Sequence, residues 1–141
     1  MDNPPPQTPE NTDVRYSVIA PVYNEQALCL DLCKQLAAAM DEAGDPYELI
    51  IVDDGSDDGT HRLLIEESKS RPELRVVRLS RNFGQEPAVC GGIKLARGRE
   101  LILIDGDLQD PPTVILDMIA KKRQGYDVVF GKKKKRKEGI F

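Results

Sequence analysis

The stretch that most constrains the fold of this chain is residues 101–112, LILIDGDLQDPP, in which an apolar run is followed at once by carboxylates. Four consecutive apolar residues, at 101–104, are typical of a short strand buried on both faces of a parallel sheet. Asp105 and Asp107 then fall at the carboxyl end of this strand. Ligands bind at that edge in open α/β sheets, so the stretch predicts both a fold class and the position of a site.

Three carboxylates, those of Asp105, Asp107 and Asp110, lie within six residues of one another. Confining them on one loop is unfavourable unless a cation or hydrogen-bond donors compensate their charge. Asp105, Asp107 and the carboxamide of Gln109 offer the hard oxygen ligands that suit Mg²⁺ or Mn²⁺. Bound magnesium usually keeps water and substrate phosphates in its shell, which favours a nucleotide diphosphate as the partner. We interpret Asp110 differently, because it precedes Pro111 and is placed to cap a helix that begins there.

The remaining chain alternates strand-like apolar runs with amphipathic helical segments. Predicted strands cover residues 16–20, 47–52, 74–79, 101–104 and 127–130, and predicted helices cover 26–43, 60–70, 88–96 and 111–124. This alternation predicts the α/β class, with a mainly parallel sheet flanked by helices on both faces. The loops after the first, second and fourth strands should converge on one edge, which would bring together Tyr23, Glu25, Asp53, Asp54, Asp105 and Asp107.

Composition divides the chain into three parts. Residues 1–13 contain four prolines and few apolar side chains and are predicted to be a disordered leader, residues 14–131 form the domain, and residues 132–141 are a basic tail. Six basic residues occupy positions 132–137, whereas the rest of the chain carries 14 basic and 24 acidic residues. Such a charge run is typical of a solvated end, a nucleic-acid patch or a contact with anionic lipid.

The sequence also indicates a compartment. No apolar run approaches the length of about 18 residues that a membrane span needs, and the first residues lack the basic and apolar regions of a signal peptide. The three cysteines, Cys29, Cys33 and Cys90, have no metal-binding spacing and are expected to be reduced thiols. These features predict a soluble, cytoplasmic chain.

Phosphate recognition must depend on side chains, because the glycines form neither a GxGxxG motif nor a P-loop. A metal ion and the cationic Arg81, Lys94 or start of the basic tail are the candidates, although each of these cations is also typical of ordinary surface charge. His61 is the only histidine and is given no role, which disfavours Ser-His-Asp and Cys-His catalysis. Tyr23 either stacks on a base or packs within the fold.

Four motifs together resemble the family 2 glycosyltransferases with the GT-A fold, and among them the polyprenyl-phosphate and dolichyl-phosphate hexosyltransferases. They are APVYNE at 20–25, VDDGSDDGT at 52–60, SRNFGQE at 80–86 and DGDLQDPP at 105–112. The motifs occur in the order and spacing of that family, and the resemblance spans residues 16–133. A truncated GT-A domain of the Rossmann-like nucleotide-diphospho-sugar transferase type is the fold that it implies.

The resemblance also implies the roles of individual residues. Asp105 and Asp107 would be catalytic and would bind the metal together with Gln109. Gly106 stands where the family commonly has alanine, and Lys133 lies near the position of a basic residue that is usually arginine, so it would meet phosphate as a point charge. Pro21, Tyr23, Glu25, Val52 and Asp54 would hold the base and ribose of the sugar nucleotide. The predicted substrate-binding set adds Asp53, Arg81, Gly106 and Lys133 to these.

The implied reaction is transfer of a sugar, with inversion, from a nucleotide-diphosphate sugar to a polyprenyl phosphate, dependent on Mg²⁺ or Mn²⁺. A phosphate acceptor is already anionic near neutral pH, so a strong general base is less necessary than for a hydroxyl acceptor. Family members continue past this point, so the chain is expected to be the donor-binding portion. The basic tail would contact an anionic membrane on the cytoplasmic face, and no nucleic-acid partner is expected.

The main alternative is a regulatory receiver-like α/β domain whose clustered aspartates bind Mg²⁺ and accept phosphate. It requires a lysine on a late strand, which the segment DVVFGK at 127–132 supplies only loosely. A nucleic-acid binder is disfavoured because the body of the chain is acidic and aromatic residues make up only 5% of it.

Overall fold

The computed structural model describes residues 13–106 and 113–125. Within them, strands and helices alternate as the sequence predicts. The elements are β1 (Tyr16–Val22), α1 (Cys29–Ala43), β2 (Tyr47–Asp53), α2 (Thr60–Ser68), β3 (Leu74–Arg78), α3 (Gln85–Leu95), β4 (Glu100–Leu103) and α4 (Val114–Arg123). Residues 1–12 of the predicted leader, the predicted strand at 127–130 and the basic tail lie outside the described residues.

The four strands form one parallel sheet in the order β3-β2-β1-β4. β1 is central and pairs with both β2 and β4, so that Val22 lies opposite Asp53 and Ile19 opposite Leu103. The carboxyl ends of β1, β2 and β4 therefore meet at one edge. Receiver domains have the flavodoxin-like order 2-1-3-4-5, so this topology removes the receiver-like alternative.

Helices cover both faces of the sheet, as predicted. On one face, side chains of β1 and β2 such as Val18 and Ile51 pack against α1, α2 and α4 in the larger core. On the other face a smaller cluster joins Ile19, Ile50 and Val52 to Ala88 of α3. α3 approaches closely because position 92 is glycine: a Cβ there would lie 2.5 Å from Ile19 Cγ2.

The prediction that the strand at 101–104 is buried on both faces is wrong. Ile102 is buried, but Leu101 and Leu103 are 45% and 47% exposed. β4 lies at an edge of the described sheet, and on the face of Leu101 and Leu103 the covering helix α3 lies against β1 and β2. The apolar run therefore correctly predicts a strand but overstates its burial.

Most element boundaries differ from the predicted ones by one to three residues; α4, for example, begins at Val114 rather than residue 111. Two of these differences have clear local reasons. α1 begins at Cys29 rather than residue 26, because residues 25–28 form a turn in which the N–H groups of Leu28 and Cys29 both donate to the carbonyl of Glu25. α3 begins at Gln85 rather than residue 88, with Pro87 in its first turn, where proline is tolerated. No helix in the described ranges has the length and apolar character needed to cross a membrane.

Candidate functional site

A cavity of about 390 Å³ opens at the carboxyl edge of the sheet. Its walls come from the ends of β1, β2 and β4 and from the loop that leads into α3. Six predicted site residues line it, namely Pro21, Tyr23, Glu25, Asp54, Asp105 and Gly106. Asn82, Gly84 and Gln85, to which the sequence assigns no role, line it as well. The ends of β1, β2 and β4 thus converge as predicted, and the loop before α3 forms one additional wall of the cavity.

The loops after β1 and β2 hold each other in place through side chain to backbone hydrogen bonds. Ser56 Oγ accepts from the N–H of Asn24 at 2.9 Å, and Thr60 Oγ1 accepts from the N–H of Glu25 at 2.9 Å. In return, Asn24 Oδ1 accepts from the N–H of Asp57 at 3.0 Å, and Gln26 Oε1 accepts from the N–H of Gly59 at 2.7 Å. Such reciprocal bonds fix the loop that carries Tyr23 and Glu25.

Tyr23 lies on the rim of the cavity with 44% of its surface exposed. Its position in the fixed loop after β1 leaves its ring available to a ligand. Of the two roles that the sequence left open, contact with a planar ligand fits this exposure better than packing within the core.

Asp54 joins the end of β2 to the loop before α3. It is only 4% exposed, and its Oδ1 and Oδ2 accept hydrogen bonds from the N–H groups of Phe83 at 2.8 Å and Gly84 at 3.0 Å. The next residue, Gly55, packs so closely on the backbone of Arg81 and Asn82 that a Cβ would collide with it. Asp54 therefore shapes the cavity wall that it lines, and each of its oxygens keeps a lone pair for a further hydrogen bond.

Asp53 points into the protein rather than into the cavity. Its side chain is fully buried, and its Oδ1 accepts a hydrogen bond from the N–H of Ser56 at 2.9 Å. Oδ2 has no hydrogen-bond partner among the described residues and lies 3.7 Å from His61 Nδ1 and 3.9 Å from Arg78 Nε. The structure thus separates Asp53 from Asp54, although the sequence grouped them in one substrate-binding set.

Asp105 lies at the end of β4 and contacts the first residue of α3. Gln85 Nε2 donates a hydrogen bond to Asp105 Oδ1 at 2.8 Å. The next residue, Gly106, is buried against the end of β1, where a Cβ would collide with the carbonyl oxygen of Pro21 and approach Val22 Cγ1 to 2.7 Å. Gly106 therefore contributes close packing beside Asp105.

The described residues supply only part of the predicted metal site. Asp105 faces the cavity, whereas Asp107 and Gln109 lie outside the described ranges. Within those ranges, no group of three or more His, Cys, Asp or Glu side chains is arranged to hold a metal ion. The carboxylates of Glu25, Asp54 and Asp105 on the cavity wall are hard oxygen donors, a chemistry that fits Mg²⁺ or Mn²⁺.

The remaining predicted site residues that the structure describes lie away from the cavity wall. Val52 is buried beneath α3, and the Arg81 guanidinium lies 4.5 Å from the ring centre of Phe83. Lys94 lies in the last turn of α3, about 14 Å along the helix axis from Gln85. Lys133 is outside the described residues. None of the described three, Val52, Arg81 and Lys94, lines the cavity.

The cysteines agree with the predicted reduced thiols. All three are free, and Cys29 and Cys33 are buried in the larger core. Burial raises the pKa of Cys33 to about 12, so its thiol stays protonated at neutral pH. This chemistry suits a packing role.

The fold and cavity define a parallel α/β domain with an open cavity at the carboxyl edge of its sheet. The family model described as "Glycosyl transferase family 2" matches residues 17–141. The chain therefore belongs to glycosyl transferase family 2, which confirms the family that the four motifs indicate.

Individual relatives agree with this assignment. The uncharacterised glycosyltransferase YkcC of Bacillus subtilis is 41% identical over 128 residues, which cover 91% of this chain and 40% of YkcC. The undecaprenyl-phosphate 4-deoxy-4-formamido-L-arabinose transferase of Aeromonas hydrophila is 39% identical over 133 residues, 93% of this chain and 41% of that protein. The chain thus spans about two fifths of the length of these relatives.

A solved structure confirms the predicted GT-A-like fold. The mannosyltransferase PcManGT from Pyrobaculum calidifontis, in complex with GDP-Man and Mn²⁺, superimposes with a TM-score of 0.63 and 27% sequence identity. The match covers 72% of this chain and 30% of that one.

Proposed function

We propose that this chain is the donor-binding portion of an inverting glycosyltransferase that moves a sugar from a nucleotide-diphosphate sugar to a polyprenyl phosphate. The observation that carries the proposal is the cavity in which Tyr23, Glu25, Asp54 and Asp105 meet at the carboxyl edge of the sheet. A relative named as an undecaprenyl-phosphate sugar transferase supports the acceptor class, and a solved neighbour in complex with GDP-Man and Mn²⁺ supports the donor class and the metal.

The nucleoside is assigned to the wall built from the ends of β1 and β2. The exposed ring of Tyr23 stacks on the base, while Glu25 and Asp54 accept hydrogen bonds from the base and ribose. Pro21 and Val22 supply the apolar floor beside them. The reciprocal bonds between residues 24–26 and 56–60 prepare this wall before the ligand arrives, which reduces the entropy lost on binding.

The diphosphate is assigned to the wall at the end of β4. Asp105, together with Asp107 and Gln109, would hold Mg²⁺ or Mn²⁺. When bound, such an ion offsets the negative charge that develops on the departing diphosphate. Arg81 and Lys133 are proposed as further cationic contacts to phosphate, and the basic tail at 132–137 as a contact to anionic lipid.

The acceptor chemistry explains why the cavity needs no strong base. A lipid phosphate attacks through an oxygen that already carries negative charge, so no proton has to be removed from it. Acceptor-side residues are assigned to the part of the relatives that this chain does not span.

Thermal unfolding with added nucleotide tests the proposal. GDP or UDP with Mn²⁺, at 100 times the Kd, is expected to add about 2.7 kcal/mol of stability, a rise of about 5 °C or more in melting temperature. Asp105→Asn should remove the metal-dependent part of the shift, and exposed Asp57→Asn serves as the control. The proposal fails if none of ADP, CDP, GDP and UDP with Mn²⁺ shifts the transition of the unaltered chain.

A further inference from the structure

We propose that Gln85 is a positioning residue for Asp105: its carboxamide holds the carboxylate in the orientation in which Asp105 binds a divalent cation. The proposal rests on the function given above. It adds a residue on α3 to a metal site that the sequence places entirely in the loop after β4. The contact that carries it is the 2.8 Å hydrogen bond from Gln85 Nε2 to Asp105 Oδ1.

The chemistry of the pair suits this role. A carboxamide restricts the rotation of a carboxylate by donating one hydrogen bond, but it carries no charge. A lysine or arginine at the same place would also cancel the negative charge that attracts a cation. Gln85 therefore orients Asp105 while leaving its electrostatic attraction for Mg²⁺ or Mn²⁺ intact. Hydrogen bonds of this kind around metal ligands typically change metal affinity by about 10- to 100-fold.

Gln85 is itself held in place by contacts between the turn that precedes it and the end of β2. The residue before it, Gly84, has φ of 104°, a backbone conformation that favours glycine. Asp54 accepts hydrogen bonds from the N–H groups of both Phe83 and Gly84, so the turn that begins α3 is fixed to the end of β2. A continuous set of contacts thus runs from Asp54 through this turn to Gln85 and on to Asp105.

Stability alone does not account for the pair. The bond between Gln85 and Asp105 is exposed to solvent, and such bonds contribute little because water replaces either partner. α1 contains a matched example, in which Gln35 Nε2 donates to Asp31 Oδ2 at 2.6 Å. That pair does not line the cavity, so it supplies a control with the same chemistry and no expected effect on a metal.

The test is Mn²⁺ binding, measured by the electron paramagnetic resonance signal of free Mn²⁺ during titration in the presence of GDP or UDP. Gln85→Met keeps the length of the side chain and removes the donor, so Mn²⁺ should bind about tenfold more weakly. The melting temperature without metal should match that of Gln35→Met, which should bind Mn²⁺ like the unaltered chain. Equal Mn²⁺ affinity in Gln85→Met and the unaltered chain, within twofold, would overturn the inference and leave the proposed function standing.

A second measurement needs neither metal nor nucleotide. The side-chain amide resonances of Gln85 in a ¹⁵N-resolved NMR spectrum should move on Asp105→Asn, while those of Gln35 stay in place. Unmoved Gln85 resonances would overturn the inference. If the unaltered chain binds no Mn²⁺ with any of ADP, CDP, GDP and UDP, the proposed function and the inference fail together.

Discussion

Asp54 Oδ2 accepts a hydrogen bond from the N–H of Gly84 at 3.0 Å, and this contact ties the end of β2 to the start of α3. Together with the bond from Phe83 to Oδ1, it uses both oxygens of a nearly buried carboxylate. The wall of the cavity and the position of Gln85 both depend on it. The sequence predicts that Asp54 binds the ligand. Its hydrogen bonds give it a second role, because they also hold the wall of the cavity in place.

Removal of the Asp54 carboxylate should therefore lower stability even without ligand. Asp54→Ala leaves two backbone N–H groups without their charged acceptor, at a cost of about 2–3 kcal/mol in the free energy of unfolding. Urea denaturation measures this cost. Asp57→Ala, an exposed position in the same loop, should change the free energy of unfolding by less than about 0.5 kcal/mol. Equal effects of the two substitutions would contradict the scaffold role.

Two adjacent glycines of α3 should respond to alanine in opposite directions. A Cβ on Gly92 would lie 2.5 Å from Ile19 Cγ2 and 3.1 Å from Val52 Cγ2, so Gly92→Ala should push α3 from the sheet and cost about 1–3 kcal/mol. The nearest atom to a Cβ on Gly91 is Leu79 Cδ2 at 3.9 Å. Gly91→Ala should stabilise the helix by about 0.5–1 kcal/mol. Chemical denaturation of both variants checks the signs, and a stable Gly92→Ala variant would refute the close packing.

Glu48 is a buried carboxylate near the amino end of β2, at the edge of the sheet opposite the cavity. It should make the stability of the fold depend on pH in the acid range. Burial of Glu48 raises its pKa, but hydrogen bonds from Ser17, the N–H of Arg97 and the Arg75 guanidinium outweigh burial and hold the pKa below 4.5. Because the pKa is lower in the folded than in the unfolded chain, this stabilisation is present above pH 4.5 and is lost as the pH falls through the folded value.

Urea unfolding between pH 7 and pH 3 measures this effect. Glu48→Gln should lower stability at pH 7 and flatten the fall in stability below about pH 4.5. Glu66→Gln is the control, since Glu66 on α2 forms an exposed ion pair with Lys69, the residue that follows the helix. An unchanged pH dependence in Glu48→Gln would show that other carboxylates are responsible.

Tyr23 should matter for the nucleotide more than for the fold. Tyr23→Ala removes an aromatic ring that is 44% exposed, and the loss of stacking on a base should weaken binding of GDP or UDP by roughly 5- to 150-fold. Tyr23→Phe keeps the ring and should bind almost normally. Calorimetric titration of the variants gives the affinities, and normal binding by Tyr23→Ala would remove the proposed base contact.

Much of the scaffold is predictable from the sequence because the relevant signals are local. Apolar runs followed by polar residues locate β1, β2 and β4, and parallel pairing then requires Tyr23, Glu25, Asp54 and Asp105 to share an edge. Exposure of Leu101 and Leu103 was not predictable, because it depends on which strands α3 covers. The run of apolar residues carries no information on that neighbour.

The role of Gln85 was missed for a similar reason. The motif SRNFGQE carries part of the family resemblance, but its path back over the end of β2 depends on the bonds of Asp54 to Phe83 and Gly84. These are contacts between residues about 30 positions apart. A usable signal was present, since the loop follows the carboxyl end of β3 and so starts at the edge where the other site residues lie.

The most direct test of the proposed function is the location of nucleotide binding in a ¹H–¹⁵N NMR spectrum of the chain, titrated with GDP or UDP and Mg²⁺. Shifts are predicted for the backbone amides of Tyr23, Glu25, Asp54 and Gly106, which surround the cavity. The amide of Gly98, which donates to Ser17 Oγ at the opposite edge of the sheet, should stay unchanged. Shifts confined to the edge of Gly98, or no shifts with any of ADP, CDP, GDP and UDP, would contradict the proposal.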